Sequence, residues 1–150
     1  MQEPGTVLVV DDRESNRKLL RDMLEGGGHR VLTAADGSSA IETAVRDRPE
    51  VIVLDVKMPG MDGFEVCARL KAMAETSTIP VVFVTANYTE EQDLLYGLEL
   101  GGYDYLVKPV SRSVLLARVG VMLRIRRTEE RIRQLSMIDE FTGLFSKGYV

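Results

Sequence analysis

Short apolar runs and longer amphipathic segments alternate along this chain, five times in succession. Runs that are apolar at nearly every position are typical of strands buried on both faces of a parallel sheet. Three such runs span residues 6–10, 51–55 and 81–84. Two further strands are predicted over residues 30–34 and 103–107, the first of them weaker because it is less apolar.

The segments between these runs carry apolar residues at helical spacing. Helices are predicted over residues 14–25, 38–47, 64–74 and 89–100, with a last helix from Ser111. Parallel strands need long, right-handed crossovers, and a helix after each strand supplies them. The fold class is therefore α/β: a flavodoxin-like (βα)5 domain, doubly wound, with parallel strand order 2-1-3-4-5 and an extended C-terminal helix.

Composition narrows the function classes only a little. The 150 residues allow one domain with a tail, and 45% hydrophobic and 28% charged residues are ordinary for a globular protein. A net charge of −4 gives no sign of DNA binding, and no apolar run is long enough to span a membrane. The first residues lack the features of a signal peptide, so we expect a cytoplasmic protein.

The single cysteine and the single histidine are not expected to carry chemistry. Cys67 lies in a predicted helix and is expected to be a buried apolar residue, and one cysteine allows no internal disulfide. His29 follows three glycines and is expected at a solvated position in a turn.

Polar residues collect where the predicted strands end. Asp11 and Asp12 follow the first strand, Asp55 ends the third, Thr85 follows the fourth and Lys108 follows the fifth. In a doubly wound sheet these ends converge on one crevice. A lone aspartate here would most simply be a turn residue, but the set of five predicts a functional site.

Three carboxylates in one crevice repel one another, by roughly 4 kcal/mol for two charges about 4 Å apart at an effective dielectric near 20. Only Lys108 and a cation from solution would offset this repulsion. A small set of oxygen ligands is what Mg²⁺ needs, because it keeps several waters and binds through one or two carboxylates and a phosphate. A carboxylate can also act as nucleophile toward a phosphoryl group and form an aspartyl phosphate. The set therefore predicts a metal–phosphate site.

Four motifs resemble the receiver domain of bacterial two-component response regulators. They are Val9–Asp12, Leu54–Gly63, Val84–Ala86 and Gly101–Pro109. The resemblance covers residues 6 to about 123, and we assign residues 5–123 to this domain. It implies that Asp55 takes a phosphoryl group from a histidine kinase or phosphotransfer protein.

The same resemblance assigns roles to the other residues at the strand ends. Asp11 and Asp12 would hold Mg²⁺ together with Asp55 and the backbone carbonyl of Lys57. We therefore expect Mg²⁺ as the cofactor.

The resemblance also implies roles on the last two strands. Thr85 and Lys108 would contact the phosphoryl oxygens, and the Lys108–Pro109 peptide would be cis. Tyr105 would be the aromatic switch, which turns inward when Thr85 moves toward the phosphate. By residue type alone, Thr85 and Tyr105 are also ordinary strand residues.

The last predicted helix, from Ser111 to about Leu135, is longer than a helix that only covers the sheet. Its second half carries a seam at spacings of four and three that is apolar except for Thr128: Val121, Ile125, Thr128, Ile132 and Leu135. Such a seam is typical of a coiled coil. The alternative is a solvated charged helix, since arginines and glutamates interleave along it. Residues 124–138 are predicted to be a signalling helix, and a homodimer is expected on phosphorylation.

Residues 139–150 resemble the opening of a GGDEF domain, the diguanylate cyclase fold. That opening typically reads Asp-x-Leu-Thr-Gly-Leu. Asp139, Thr142, Gly143 and Leu144 match it, whereas Phe141 replaces a leucine. The resemblance implies a C-terminal output domain in the parent protein that makes cyclic di-GMP under control of the receiver. The 150 residues contain no Gly-Gly-Asp/Glu-Glu-Phe signature, so this stretch is not expected to make cyclic di-GMP itself.

Other functions remain open at this point. A phosphatase of the haloacid dehalogenase kind needs a second aspartate two residues after the nucleophile, where this chain has Lys57. A flavin-binding domain would need a phosphate-binding loop after the first strand, where Asp11 and Asp12 would repel a phosphate. A phosphorylation-independent dimerisation scaffold and a degenerate cyclase that acts as a cyclic di-GMP receptor are the remaining alternatives.

Overall fold

Five parallel strands form one sheet in the order β2-β1-β3-β4-β5. The structure is a computed structural model that describes residues 4–86 and 91–141, with side chains described up to residue 135. The flavodoxin-like fold and its strand order are as predicted. The strands are β1 (Thr6–Val10), β2 (Arg30–Ala34), β3 (Val51–Asp55), β4 (Val81–Thr85) and β5 (Asp104–Val107).

A helix follows each strand, and helices cover both faces of the sheet. The helices are α1 (Glu14–Gly26), α2 (Gly37–Asp47), α3 (Gly63–Lys71), α4 (Glu91–Glu99) and α5 (Arg112–Phe141). The predicted start of the fourth helix, at Thr89, lies outside the described residues. Within the described ranges, none of the helices combines the length and apolar character that a membrane crossing requires.

Helix α3 ends three residues earlier than predicted. After Lys71 the chain turns back, and the Thr76 hydroxyl donates a 2.6 Å hydrogen bond to the carbonyl of Leu70. The Lys71 ammonium donates to the carbonyls of Ser77 and Ile79, at 3.2 and 2.7 Å. The bond from Thr76 thus satisfies the carbonyl of Leu70, which a longer helix would have used.

The sheet separates two apolar cores. One face of the strands packs on α2 and α3 through residues such as Leu8, Ile52 and Phe83, and buried Cys67 belongs to this core as expected. The other face packs on α1 and α5 through residues such as Val9. Every residue of β3 is buried, as the unbroken apolar run predicted.

The prediction of a solvated His29 is wrong. Only 5% of His29 is exposed, and its Nδ1 accepts a 3.1 Å hydrogen bond from the backbone N–H of Gly5. The turn that carries it folds onto the chain before β1, where Arg30 N–H also donates to the carbonyl of Gly5. The sequence pattern did not predict this burial, because glycine-rich turns are usually solvated and the burial depends on a tertiary contact with the chain before β1.

Replacing His29 by Asn is expected to reduce the loss of stability in mild acid. Burial, and then the nearby charge of Arg127, lower the pKa of His29 from its usual 6.5. The unfolded chain therefore binds a proton at a pH where the folded chain does not, so stability falls as pH drops through this range. Asparagine keeps an acceptor near Gly5 but does not titrate.

The measurement is urea unfolding of both proteins between about pH 7.5 and about pH 5.5. The free energy of unfolding of the wild type should fall relative to that of His29→Asn as the solution is acidified. A difference that stays constant over this range would contradict the account of His29.

Candidate functional site

The carboxyl ends of four strands bring the five predicted polar residues to one edge of the sheet. Asp55 ends β3 and lies beside Val84 of β4 in the ladder. The backbone N–H of Lys108, just after β5, donates a 2.8 Å hydrogen bond to the carbonyl of Thr85. The N–H of Asp11, just after β1, donates to the carbonyl of Ala34. Backbone pairing therefore continues past the strands and fixes where these side chains begin.

Three carboxylates form the centre of this site. Asp11, Asp12 and Asp55 each offer one oxygen, and these oxygens all lie within 4.8 Å of one another. Asp11 and Asp55 are buried, whereas Asp12 is exposed. Hard oxygen donors at this spacing are the ligand type that Mg²⁺ and similar divalent cations prefer.

Lys108 supplies a positive charge beside two of the carboxylates. Its Nζ lies 3.3 Å from Asp55 Oδ1 and 3.5 Å from Asp11 Oδ2. One lysine leaves a group of three carboxylates with excess negative charge, so a cation would still be favoured there.

The carboxylate of Asp11 is only partly satisfied. Its Oδ1 accepts a 2.9 Å hydrogen bond from the N–H of Arg13. Its Oδ2 is buried and, within the described part of the chain, accepts no hydrogen bond. A buried charged oxygen without a hydrogen bond is costly. Besides Lys108 Nζ at 3.5 Å, this oxygen has room for a closer partner, and the donor set therefore fits a bound cation.

Burial and neighbouring charge both act on Asp55. Desolvation, followed by the negative charge of Asp11, raises the pKa of Asp55 above its usual 3.8, while Lys108 opposes this shift. A divalent cation among the carboxylates would act in the same direction as Lys108 and favour the ionised, nucleophilic form.

The turn after Asp55 is held tightly against the end of β3. A Cβ at Gly63 would lie 2.3 Å from the carbonyl oxygen of Asp55, so only glycine fits there without a shift. Gly63 also donates a 2.8 Å hydrogen bond to Val56, and the Asp62 carboxylate caps α3 by accepting from Glu65. The exposed Lys57 lies within this turn, and the role of its carbonyl stays a prediction.

Thr85 and Tyr105 occupy neighbouring strands. Thr85 is buried at the end of β4, with its hydroxyl 3.4 Å from the carbonyl of Ala86. The Tyr105 ring packs 5.1 Å from that of Phe83, and its hydroxyl donates a 2.9 Å hydrogen bond to the carbonyl of Asp93 in α4. Burial, and then the charge of Asp93, raise the pKa of Tyr105 to about 12. Tyr105 thus joins β5 to α4, and its switching role stays a prediction.

Two features beside the carboxylates were not anticipated from the sequence. Arg17 of α1 donates a 2.8 Å hydrogen bond to the backbone carbonyl of Asp11. A largely apolar groove of about 360 Å³ opens between α1 and the chain after β5. The Lys108–Pro109 peptide beside it is cis, as the family resemblance implied. Leu19, 51% exposed, lines it. In the sequence Leu19 is one of the apolar residues that mark the predicted helix, and this pattern gave no sign of a groove.

The family comparison agrees with this geometry. Residues 7–120 match the model of the family described as the response regulator receiver domain, which is most of the chain. The chain belongs to the response regulator receiver domain family. Of the functions left open by the sequence, the receiver domain is the one that the match supports.

Known proteins and a solved structure resemble the chain over most of its length. Response regulator PleD of Caulobacter vibrioides is 45% identical over 128 residues, which are 85% of this chain and 28% of that protein. Protein PilH of Pseudomonas aeruginosa is 39% identical over 117 residues, 78% of this chain and 96% of PilH. A putative response regulator from Chloroflexus aurantiacus has a crystal structure with a TM-score of 0.76 and 34% identity, covering 81% of this chain and 99% of that one. The chain therefore spans under a third of the length of PleD.

Replacing Asp12 by Asn is expected to stabilise this receiver domain in the absence of Mg²⁺ and to reduce the stability that it gains from Mg²⁺. Without divalent cations, the loss of one of three like charges should raise the free energy of unfolding by about 1 kcal/mol. With Mg²⁺ the wild type should gain stability by binding the ion in its folded state, and the variant should gain less.

Urea unfolding in a chelator and in excess Mg²⁺ measures both effects. Glu75→Gln is the matched control, since Glu75 is an exposed carboxylate outside the cluster. An Asp12→Asn protein that is less stable in chelator, or that gains as much from Mg²⁺ as the wild type, would contradict the electrostatic account.

Proposed function

We propose that this receiver domain accepts a phosphoryl group on Asp55 from a histidine kinase or a phosphotransfer protein. The observation that carries the proposal is the position of the Asp55 carboxylate, which is buried at a strand end 3.3 Å from Lys108 Nζ and beside two further carboxylates. A carboxylate oxygen would form a bond to phosphorus as the N–P bond of phosphohistidine breaks. The electron pair returns to the imidazole, which takes a proton from solvent.

The neighbouring residues have distinct roles in this proposal. Asp11, Asp12, Asp55 and the carbonyl of Lys57 hold Mg²⁺, which neutralises charge on the phosphoryl oxygens. The buried Oδ2 of Asp11, which accepts no hydrogen bond within the described residues, supports the presence of a cation there. Lys108 then pairs with a phosphoryl oxygen, because its Nζ is already directed at the acceptor carboxylate.

Thr85 and Tyr105 would change position when Asp55 is phosphorylated. The Thr85 hydroxyl would hydrogen-bond a phosphoryl oxygen, and Tyr105 would respond on the neighbouring strand. The Tyr105 hydroxyl bond to Asp93 supports this role, since it links β5 directly to α4. A change at Thr85 is thereby passed to the surface formed by α4, β5 and α5.

The signal would leave through the end of α5. In this proposal residues 5–123 are the receiver, residues 124–138 are the signalling helix, and residues 139–150 begin a GGDEF-type output domain. The output would be synthesis of cyclic di-GMP, controlled through dimerisation and the signalling helix. The resemblance of Asp139, Thr142, Gly143 and Leu144 to the GGDEF opening supports this, and these residues lie outside the described side chains.

Incubating the chain with acetyl phosphate and Mg²⁺, followed by intact mass measurement, tests the phosphoacceptor. The wild type should gain one phosphoryl group, and a chelator should suppress the gain because the cation neutralises the transferred group. Asp55→Asn should gain none. Asp62→Asn is the matched control, since Asp62 lies in the same turn and asparagine also caps a helix.

Two outcomes would contradict the proposal. One is a wild-type chain that takes no phosphoryl group in the presence of Mg²⁺. The other is an Asp55→Asn chain that is modified as fully as Asp62→Asn.

A further inference from the structure

The turn between β1 and α1 carries two of the three carboxylates of the site. It consists of Asp11, Asp12 and Arg13, and α1 begins at Glu14. Helices often fix such a turn through a side chain at the N-cap, which accepts hydrogen bonds from the first helical residues. The N-cap residue here is Arg13, and its side chain provides no such cap. Other contacts therefore hold this turn.

Asp11 is fixed in the turn by hydrogen bonds to three other residues. Its N–H donates to the carbonyl of Ala34 at 3.2 Å, and its Oδ1 accepts from the N–H of Arg13 at 2.9 Å. Its backbone carbonyl accepts a 2.8 Å hydrogen bond from Arg17 Nη1. Among the described residues, these bonds leave Oδ2 as the one polar atom of Asp11 without a hydrogen bond, 3.5 Å from Lys108 Nζ.

The half-buried guanidinium of Arg17 contacts the backbone of the turn and not its carboxylates. Within the part of the chain that the structure describes, Arg17 forms no ion pair, although Asp11 and Asp12 lie close by in sequence and space. An arginine paired with these carboxylates would occupy oxygens that a cation needs. The bond to the carbonyl of Asp11 holds the turn and leaves those oxygens available.

Arg17 is poorly placed to stabilise α1 itself. It is the fourth residue of the helix, near the end where the helix dipole disfavours a positive charge. Its neighbours four residues away on either side are Arg13 and Arg21, and like charges at this spacing destabilise a helix. Lys18, by contrast, forms an ion pair with Asp22. The contact that explains Arg17 is therefore its bond to the turn.

We propose that Arg17 is a positioning residue for the binding of a divalent cation. Its bond to the carbonyl of Asp11 fixes the turn, so that the Asp11 and Asp12 carboxylates are already in place when the cation arrives. Arg17 itself contacts neither the cation nor the phosphoryl group. This role rests on the proposed function, because it requires that Asp11, Asp12 and Asp55 hold Mg²⁺.

Removal of Arg17 separates this positioning role from a plain effect of charge. A positive charge near three carboxylates repels a cation, so the loss of the charge alone would strengthen Mg²⁺ binding. The loss of a bond that holds a metal ligand in place weakens binding, typically by about tenfold or more. The two effects have opposite signs, so the direction of the change in Mg²⁺ affinity distinguishes them.

Calorimetric titration of the metal-free chain with MgCl₂ measures this change. Arg17→Met removes both the donor and the charge, and methionine keeps a long, unbranched side chain that suits a helix. The Mg²⁺ affinity of Arg17→Met should be about tenfold lower than that of the wild type. Circular dichroism and thermal unfolding in a chelator verify that the variant is folded before the titration.

Arg13→Gln is the matched control for the loss of charge. Arg13 is exposed in the same turn, and its side chain provides no cap for α1. The variant loses one positive charge beside the carboxylates but keeps the backbone N–H that donates to Asp11 Oδ1. Its Mg²⁺ affinity should therefore equal or exceed that of the wild type.

Arg17→Lys tests whether the hydrogen bond itself is responsible. Lysine keeps the positive charge, and its ammonium group can still donate to a backbone carbonyl. The restored charge alone would leave Mg²⁺ binding no tighter than in a neutral variant. The restored bond should instead return part of the affinity that Arg17→Met loses.

The outcomes separate the role of Arg17 from the proposed function. An Arg17→Met chain that binds Mg²⁺ as tightly as the wild type, an equal loss in Arg13→Gln, or no recovery in Arg17→Lys would overturn the positioning role alone. Each chain is also treated with acetyl phosphate and Mg²⁺ and weighed by intact mass. A wild type that binds Mg²⁺ but gains no phosphoryl group would contradict only the phosphoacceptor, whereas a wild type that binds no Mg²⁺ would overturn both.

Discussion

Repulsion among three carboxylates at one edge of the sheet is the constraint on which the rest of the structure depends. Asp11 and Asp55 are buried where two negative charges are costly, and Asp12 adds a third. Lys108 offsets part of this cost from the end of β5. The remaining excess negative charge favours a divalent cation at this site.

The sheet keeps these charges together against their repulsion. Each side chain begins at or just after a strand whose backbone is fixed by its neighbours, as in the 2.8 Å bond from Lys108 to Thr85. The fully buried β3 and the close approach of Gly63 leave Asp55 little freedom to move away. Stability supplied by the two apolar cores thus maintains an electrostatically unfavourable site, which is common where function requires it.

Helix α5 connects this site to the opposite edge of the sheet. It begins shortly after Lys108 and reaches Arg127, which contacts Glu50 and Pro4 before the strands begin. The carboxylate site and the contacts of Arg127 therefore lie at opposite ends of one domain. Tyr105 links β5 to α4 through its hydrogen bond to Asp93 and packs on Phe83 of β4.

Much of the fold and most of the site residues could be predicted from the sequence, because both depend on local pattern. Unbroken apolar runs mark β1, β3 and β4, and the polar residues that end them converge in any doubly wound sheet. Features that depend on tertiary contacts were not predictable. The burial of His29 needs the chain before β1, and the early end of α3 needs Thr76.

The same limit applies to the finer details of the site and of α5. The Asp11 oxygen without a hydrogen bond from the described residues depends on the orientation of its side chain, which no spacing rule reveals. The heptad pattern of α5 was visible in the sequence, but the side of the helix held by the receiver was not. That assignment needs the contacts of Arg126 and Arg127.

The most direct test of the central claim is to identify the phosphorylated atom. After treatment with acetyl phosphate and Mg²⁺, borohydride reduces an acyl phosphate of aspartate to homoserine, and peptide sequencing by mass spectrometry locates the change. The account predicts homoserine at position 55 alone, with Asp11, Asp12 and Asp62 unchanged. Homoserine at one of those positions, or a phosphoryl group that resists borohydride, would contradict it.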